Sequence, residues 1–121
     1  MKHIDGLRRV VTWAVACLAL LAITLGVWQL ESARQGVSIA SQRVGTIPIT
    51  VFRPEQPSGP APVVLIAHGF AGSQQLMHPF ALTLARNGYV AITFDFPGHG
   101  RNATPMNGGL ANQSESLRVL L

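Results

Sequence analysis

The sequence predicts a three-layer α/β domain with a mainly parallel sheet, preceded by one transmembrane helix. Three observations carry this. Val10–Leu30 contains no charged residue. Two nearly all-apolar runs, Val63–Ala67 and Tyr89–Phe94, each end in a glycine-containing turn. Between them lies a stretch whose apolar residues recur at helical spacing. The composition agrees: charged residues make up 12% of the 121 residues and hydrophobic ones 48%. The charged share is about half of the roughly 25% usual in soluble domains. The net charge of +4 does not indicate a nucleic-acid partner. Lys2 is the one lysine, the arginines are scattered, and no basic stripe alternates with aromatics. A single cysteine, Cys17, excludes an internal disulfide and a cysteine metal cluster. Within its apolar run it reads as a small hydrophobe.

The first element is the span. A helix over Val10–Leu30 covers about 31 Å at 1.5 Å per residue, matching a hydrocarbon core of about 30 Å. Trp13 and Trp28 fall near its ends, where amphipathic rings favour the interface. Lys2, Arg8 and Arg9 precede the run, and across it the nearest charges, Glu31 and Arg34, cancel. The positive-inside bias therefore places residues 1–9 in the cytoplasm and the C-terminal part outside, with residues 10–30 in the lipid bilayer. The rival is a cleaved signal peptide, with Ser38-Ile39-Ala40 as a cleavage site, which would make the rest a secreted protein. A lipoprotein signal at Cys17 fits poorly, because Ala14 stands where leucine is usual and the apolar run continues past the cysteine.

Residues 31–42 are small and polar and read as a linker, so the domain is expected over 43–121. From Ile47 to Val51 the apolar residues alternate, as in a half-buried strand. Pro48 cannot donate to a ladder, which puts that strand at an edge or makes it irregular. Pro54–Pro62 reads as a loop. The all-apolar run Val63–Ala67 suits a strand covered on both faces, as in a parallel sheet.

After the turn His68-Gly69-Phe70-Ala71-Gly72, a helix begins between Ser73 and Pro79. It presents Leu76, Phe80 and Leu84, with Met77, Ala81 and Ala85 beside them, as one apolar face. Proline is tolerated in a first helical turn, and Gly88 supplies the stop. Tyr89–Phe94 is the second strand, followed by Asp95 and the tight turn Phe96-Pro97-Gly98-His99-Gly100. Strand, helix and strand make a βαβ unit with parallel strands. Asn102–Asn112, with Gly108-Gly109, reads as a loop, and a last helix is expected from Ser114 as N-cap, with Leu117, Leu120 and Leu121 apolar.

Two motifs at this spacing, His68-Gly69-Phe70-Ala71-Gly72-Ser73 and Asp95-Phe96-Pro97-Gly98-His99-Gly100-Arg101, resemble the α/β-hydrolase superfamily. The resemblance covers about Arg43–Leu121 and is nearest to esterase, lipase and serine-peptidase-like members. It implies a serine hydrolase acting on a small-molecule ester, thioester or amide, with no cofactor and no metal. Acyl transfer builds negative charge on the substrate oxygen, and backbone N–H groups aimed at it lower the barrier. In this fold one donor comes from the loop after the strand at Val63–Ala67. The resemblance makes that donor the Phe70 N–H, with Ala71 as the neighbouring alternative. His68, Gly69, Gly72, Asp95, Gly98, His99 and Gly100 then support the two turns. Neither His68 nor His99 corresponds to the triad histidine, which follows the nucleophile in chain order. The family often has Ser soon after its Gly-x-Gly, where Arg101-Asn102 stand here.

The nucleophile elbow G-x-S-x-G does not occur in the 121 residues. Gly36-Val37-Ser38-Ile39-Ala40 lacks the last glycine, and Ser73 has none after it. The chain therefore reads as the N-terminal part of a membrane-anchored serine hydrolase, inactive by itself, with nucleophile, acid and base encoded later. The alternative is a non-catalytic membrane-anchored interaction protein, or a pseudogene product, that keeps a half-domain. A Gly-x-Gly-x-x-Gly after a strand and a His-Glu-x-x-His zinc motif are both absent. Asn102-Ala103-Thr104 and Asn112-Gln113-Ser114 match the glycosylation sequon.

Overall fold

A computed structural model describes residues 2–107 and 109–121. Gly108, expected in the last loop, and Met1, expected in the cytoplasmic tail, lie outside the described residues. The chain divides between Gln35 and Gly36 into two units.

The first unit is one helix, α1 (Lys2–Arg34), which extends the expected span at both ends. Gly6–Arg34 is long and apolar enough to cross a membrane. Its hydroxyls are satisfied within the helix. Thr12 donates to the Arg8 carbonyl, Thr24 to Leu20 and Ser32 to Trp28, each at 2.8 Å. Such i−4 bonds satisfy the hydroxyl donors of these three residues within the helix itself.

The second unit holds β1 (Val37–Val44), β2 (Ile47–Pro54), β3 (Val63–Ile66), α2 (Gln74–Arg86), β4 (Val90–Phe94) and α3 (Leu110–Leu120). The strands form one sheet in the order β1-β2-β4-β3. β3 and β4 are parallel, with α2 between them in the chain, as expected of the βαβ unit. The expectation of a mainly parallel sheet is corrected among these strands. β1–β2 and β2–β4 are both antiparallel. The cause is a hairpin whose two-residue turn, Gly45-Thr46, reverses the chain directly, with Gly45 at φ 58°. A turn with positive φ at its first central position matches the strand twist.

The hairpin also moves the domain's start. Residues 37–42, expected in the linker, belong to β1. Only Val37 of that strand is buried, so it lacks the alternation that marks a half-buried strand, and backbone pairing to β2 defines it instead. β2 is a central strand, buried from Ile47 to Phe52, which corrects the edge placement of Pro48. Conversely, β3 lies at the sheet edge, with Val63 exposed and Val64, Leu65 and Ile66 half-buried. Its apolar run had suggested cover on both faces, but among the described strands it pairs only with β4.

Helices lie on both faces. On one, Ala81 and Ala85 of α2 pack with Val37, Phe52 and Ala91. Their small side chains let the helix approach the strands, while Leu76 and Phe80 of the expected apolar face are exposed. Pro79 sits in the second turn of α2, not the first. The helix ends as Gly88 allows. At φ 89° its N–H bonds the Ala85 carbonyl, and Tyr89 N–H bonds Leu84, a Schellman closure. On the other face, Ile47, Ile49, Val51, Phe94 and Phe96 form a second core that receives Leu117 and Leu120 of α3. α3 begins at Leu110, so Ser114 is inside the helix and bonds the Ala111 carbonyl instead of capping.

A chain beginning at Gly36 is expected to unfold at the same denaturant midpoint as the second unit of the full chain. One beginning at Arg43 loses most of β1 and buried Val37. It should be less stable by more than the roughly 1.5–3 kcal/mol of burying one such side chain, as read by urea titration.

Candidate active site

The candidate site is the bend from β3 into α2. Gly72 N–H bonds the Gly69 carbonyl at 3.1 Å, closing a turn with Phe70 and Ala71 at its centre. Ala71 has φ 56°, the one positive φ outside glycine among the described residues. A positive φ at the second central position is the mark of a type II turn. For alanine it costs about 1–2 kcal/mol, so the surroundings must hold it. Among the described residues, the N–H groups of Phe70 and Ala71 bond no protein acceptor. The Phe70 side chain is 93% exposed.

His68, buried, orders the bend from below. Its Nδ1 lies 2.8 Å from the Gly69 carbonyl, and Phe96 N–H donates to its Nε2 at 3.2 Å. Since Nε2 accepts, Nδ1 carries the proton and donates. Both ring nitrogens are thus engaged in structure. Its ring stands edge-on to Phe96 at 5.2 Å and tilted to His99 at the same distance. His99 Nδ1 bonds the Pro97 carbonyl within its own turn. Gly72 is tight: a Cβ there would meet the Gly69 carbonyl at 3.0 Å and His68 Nδ1 at 3.3 Å.

The far end of the bend is fixed by Asp95. Its Oδ1 accepts from Gln74 N–H at 2.7 Å, and its Oδ2 accepts from Gln74 Nε2 at 2.7 Å and Arg101 N–H at 3.0 Å. Ser73 makes no side-chain cap, so Asp95 caps α2 from another part of the chain. Gly100 at φ 52° makes room, since a Cβ there would collide with the Asp95 carboxyl, and at Gly98 one would meet Met106 Cβ at 2.8 Å.

Two residues of this network carried no sequence signal. Gln74 is buried and takes a bond from Thr93 Oγ1 at 3.3 Å besides its three to Asp95 and the Pro48 carbonyl. Asn102, expected in a loop, is buried and donates to the Asp95 carbonyl at 2.9 Å while accepting from Thr104 N–H. That engagement argues against Asn102 as a glycan acceptor.

A parallel β3-α2-β4 unit with a strained bend after its first strand is the arrangement an α/β-hydrolase places at the start of its domain, and the comparisons with known proteins agree with that class. The sequence profile of serine aminopeptidase, S33, matches residues 58–118, half of the chain, and the chain belongs to that family. A putative lipase from Acinetobacter baumannii is 28% identical, with a TM-score of 0.52, over 75% of this chain and 31% of that one. A membrane phospholipase A, a bacterial virulence factor, is 25% identical, with a TM-score of 0.52, over 99% of this chain and 39% of that one. The chain therefore spans less than two fifths of the length of these structures. No curated protein matches it.

Gly100→Ala is expected to lower stability by roughly 2 kcal/mol or more, through strain at positive φ and displacement of the Asp95 carboxyl. Thermal unfolding followed by circular dichroism measures it, with Gly59→Ala, where no atom lies within 4 Å of a Cβ, as the control.

Proposed function

We propose that this chain is the N-terminal part of a membrane-anchored serine hydrolase and supplies an oxyanion donor for ester, thioester or amide hydrolysis. The observation that carries the reading is the Phe70–Ala71 bend, whose two N–H groups have no protein acceptor among the described residues. Such donors, aimed before the reaction starts, stabilise a developing oxyanion without reorganisation. Phe70 N–H is the principal donor and Ala71 N–H its neighbour. The exposed Phe70 ring borders the same space and suits an acyl chain. Attacking serine, acid and histidine belong to further residues of the hydrolase domain. A reading frame past Leu121 should encode G-x-S-x-G within about 30–50 residues.

Phe70→Pro tests the donor. Proline fits the first central position of a type II turn, so it deletes the N–H while keeping the bend. In the serine-bearing protein it should lower kcat by about 10²–10³, whereas Phe70→Ala retains the donor and most of the rate. Equal losses in the two variants would reject the assignment. The 121-residue chain alone should take up no fluorophosphonate probe.

The anchor reading rests on α1 and on β1. The phospholipase match runs over 99% of the chain, α1 included. Cleavage after Ala40 would cut β1 in half and remove buried Val37 from its contact with Phe52. The excess of basic residues before the span, Lys2, Arg8 and Arg9, against the cancelling pair Glu31 and Arg34 supports a cytoplasmic N-terminus. In membranes the full-length chain should resist carbonate extraction, and Cys17 should resist an impermeant maleimide. A soluble product about 40 residues shorter would establish signal cleavage instead.

A further inference from the structure

Beside the β1–β2 hairpin lies a pocket of about 260 Å³ that the hydrolase reading does not use. Its polar lining is Ser41, Gln42, Arg43, Thr50, Gln74 and Arg101, and no carboxylate faces it. Arg43 is held in place by carbonyls: Nη1 donates to Thr46 at 3.0 Å and Nη2 to Arg101 at 3.5 Å. Two of its five N–H groups are thereby engaged, and the rest remain for a ligand. The Arg101 side chain makes no hydrogen bond or ion pair among the described residues, its backbone alone being used. The Ser41 and Thr50 hydroxyls lie 3.3 Å apart, so one donates to the other and one hydrogen stays free. Asp95, bonded to the lining residues Gln74 and Arg101, is buried and already accepts three N–H groups, so it pairs with neither guanidinium.

We propose that this pocket binds a phosphate-class oxyanion through Arg43 and Arg101. Two guanidinium groups and a free hydroxyl hydrogen offer planar and single donors suited to a tetrahedral anion, which accepts several bonds at once. The volume falls just below the roughly 300–1,000 Å³ of drug-sized sites, so it suits a head-group-sized ligand, not an extended chain. The anion comes either from solution or from a phospholipid head group, and the proposal stands whether or not the bend at Phe70 serves catalysis.

The test uses the full chain in phosphatidylcholine nanodiscs, titrated with inorganic phosphate at constant ionic strength, with the arginine side-chain N–H signals followed by NMR. Saturable shifts at Arg43 and Arg101 that chloride does not reproduce are expected, with affinity about tenfold weaker in Arg101→Gln, the loss of one charge-assisted hydrogen bond. Since that side chain bonds nothing, the variant should melt at the wild-type temperature. In phosphatidylglycerol discs, shifts already present without phosphate and lost in Arg101→Gln support the site and assign the ligand to lipid. Absence of shifts in both discs, equal shifts with chloride, or unchanged affinity in Arg101→Gln would overturn the proposal.

Discussion

The carboxylate of Asp95 is the constraint on which both turns depend. It has no exposed surface and makes no ion pair among the described residues, so its desolvation must be met by hydrogen bonds. Three N–H groups meet it, two from Gln74 and one from Arg101. The first starts α2, and the last closes the turn after β4. One buried acceptor thus fixes where a helix begins and where a loop returns. The next residue, Phe96, gives its N–H to His68 at the opposite end of the bend. The bend is consequently held at both ends by two adjacent residues of another strand's terminus. Phe70 and Ala71 lie between those attachments, which explains how an alanine keeps a positive φ. A pair of donors fixed in this way pays little reorganisation when charge develops nearby.

Elements with strong local signals were legible in the sequence, and those defined by distant partners were not. The uncharged run after Arg9, the parallel βαβ unit and the stop at Gly88 follow from short stretches read alone, whereas the hydrogen bonds of His68 to Phe96 and of Asp95 to Gln74 join distant segments. β1 was hidden because an edge strand whose one buried residue is Val37 carries polar and small residues with no alternation. Its existence is a statement about β2, not about its own composition. α2 misled in the opposite way. Its largest apolar residues, Leu76 and Phe80, stay exposed, while Ala81 and Ala85 make the contact, because close approach to Phe52 and Ala91 favours small side chains. Gln74 and Asn102 look like ordinary helix and loop residues. Both are bonded to Asp95, which lies 21 residues from Gln74 and, although only seven from Asn102, meets it across a turn that no periodicity announces.

Pro48 shows how a local defect and a distant residue fit together. The register places Pro48 opposite Asp95, one step beyond the pair Ile49–Phe94. Asp95 N–H donates to the Pro48 carbonyl at 3.2 Å, so this is a position where an antiparallel pair exchanges two bonds. Proline cannot return the second, and a central strand normally excludes it for that reason. The Asp95 carbonyl left over is taken by the Asn102 side-chain amide at 2.9 Å. Asn102 thereby supplies the donor that the ladder lacks, and its Oδ1 goes on to accept from Thr104 and order the loop beyond. Pro48 leaves the Asp95 carbonyl without a ladder donor, and the Asn102 side-chain amide is long enough to reach it. The sequence oddities at positions 48 and 102 are two halves of one solution, and Asp95, which contributes its carboxylate to one turn and its carbonyl to the other half, is the residue they share.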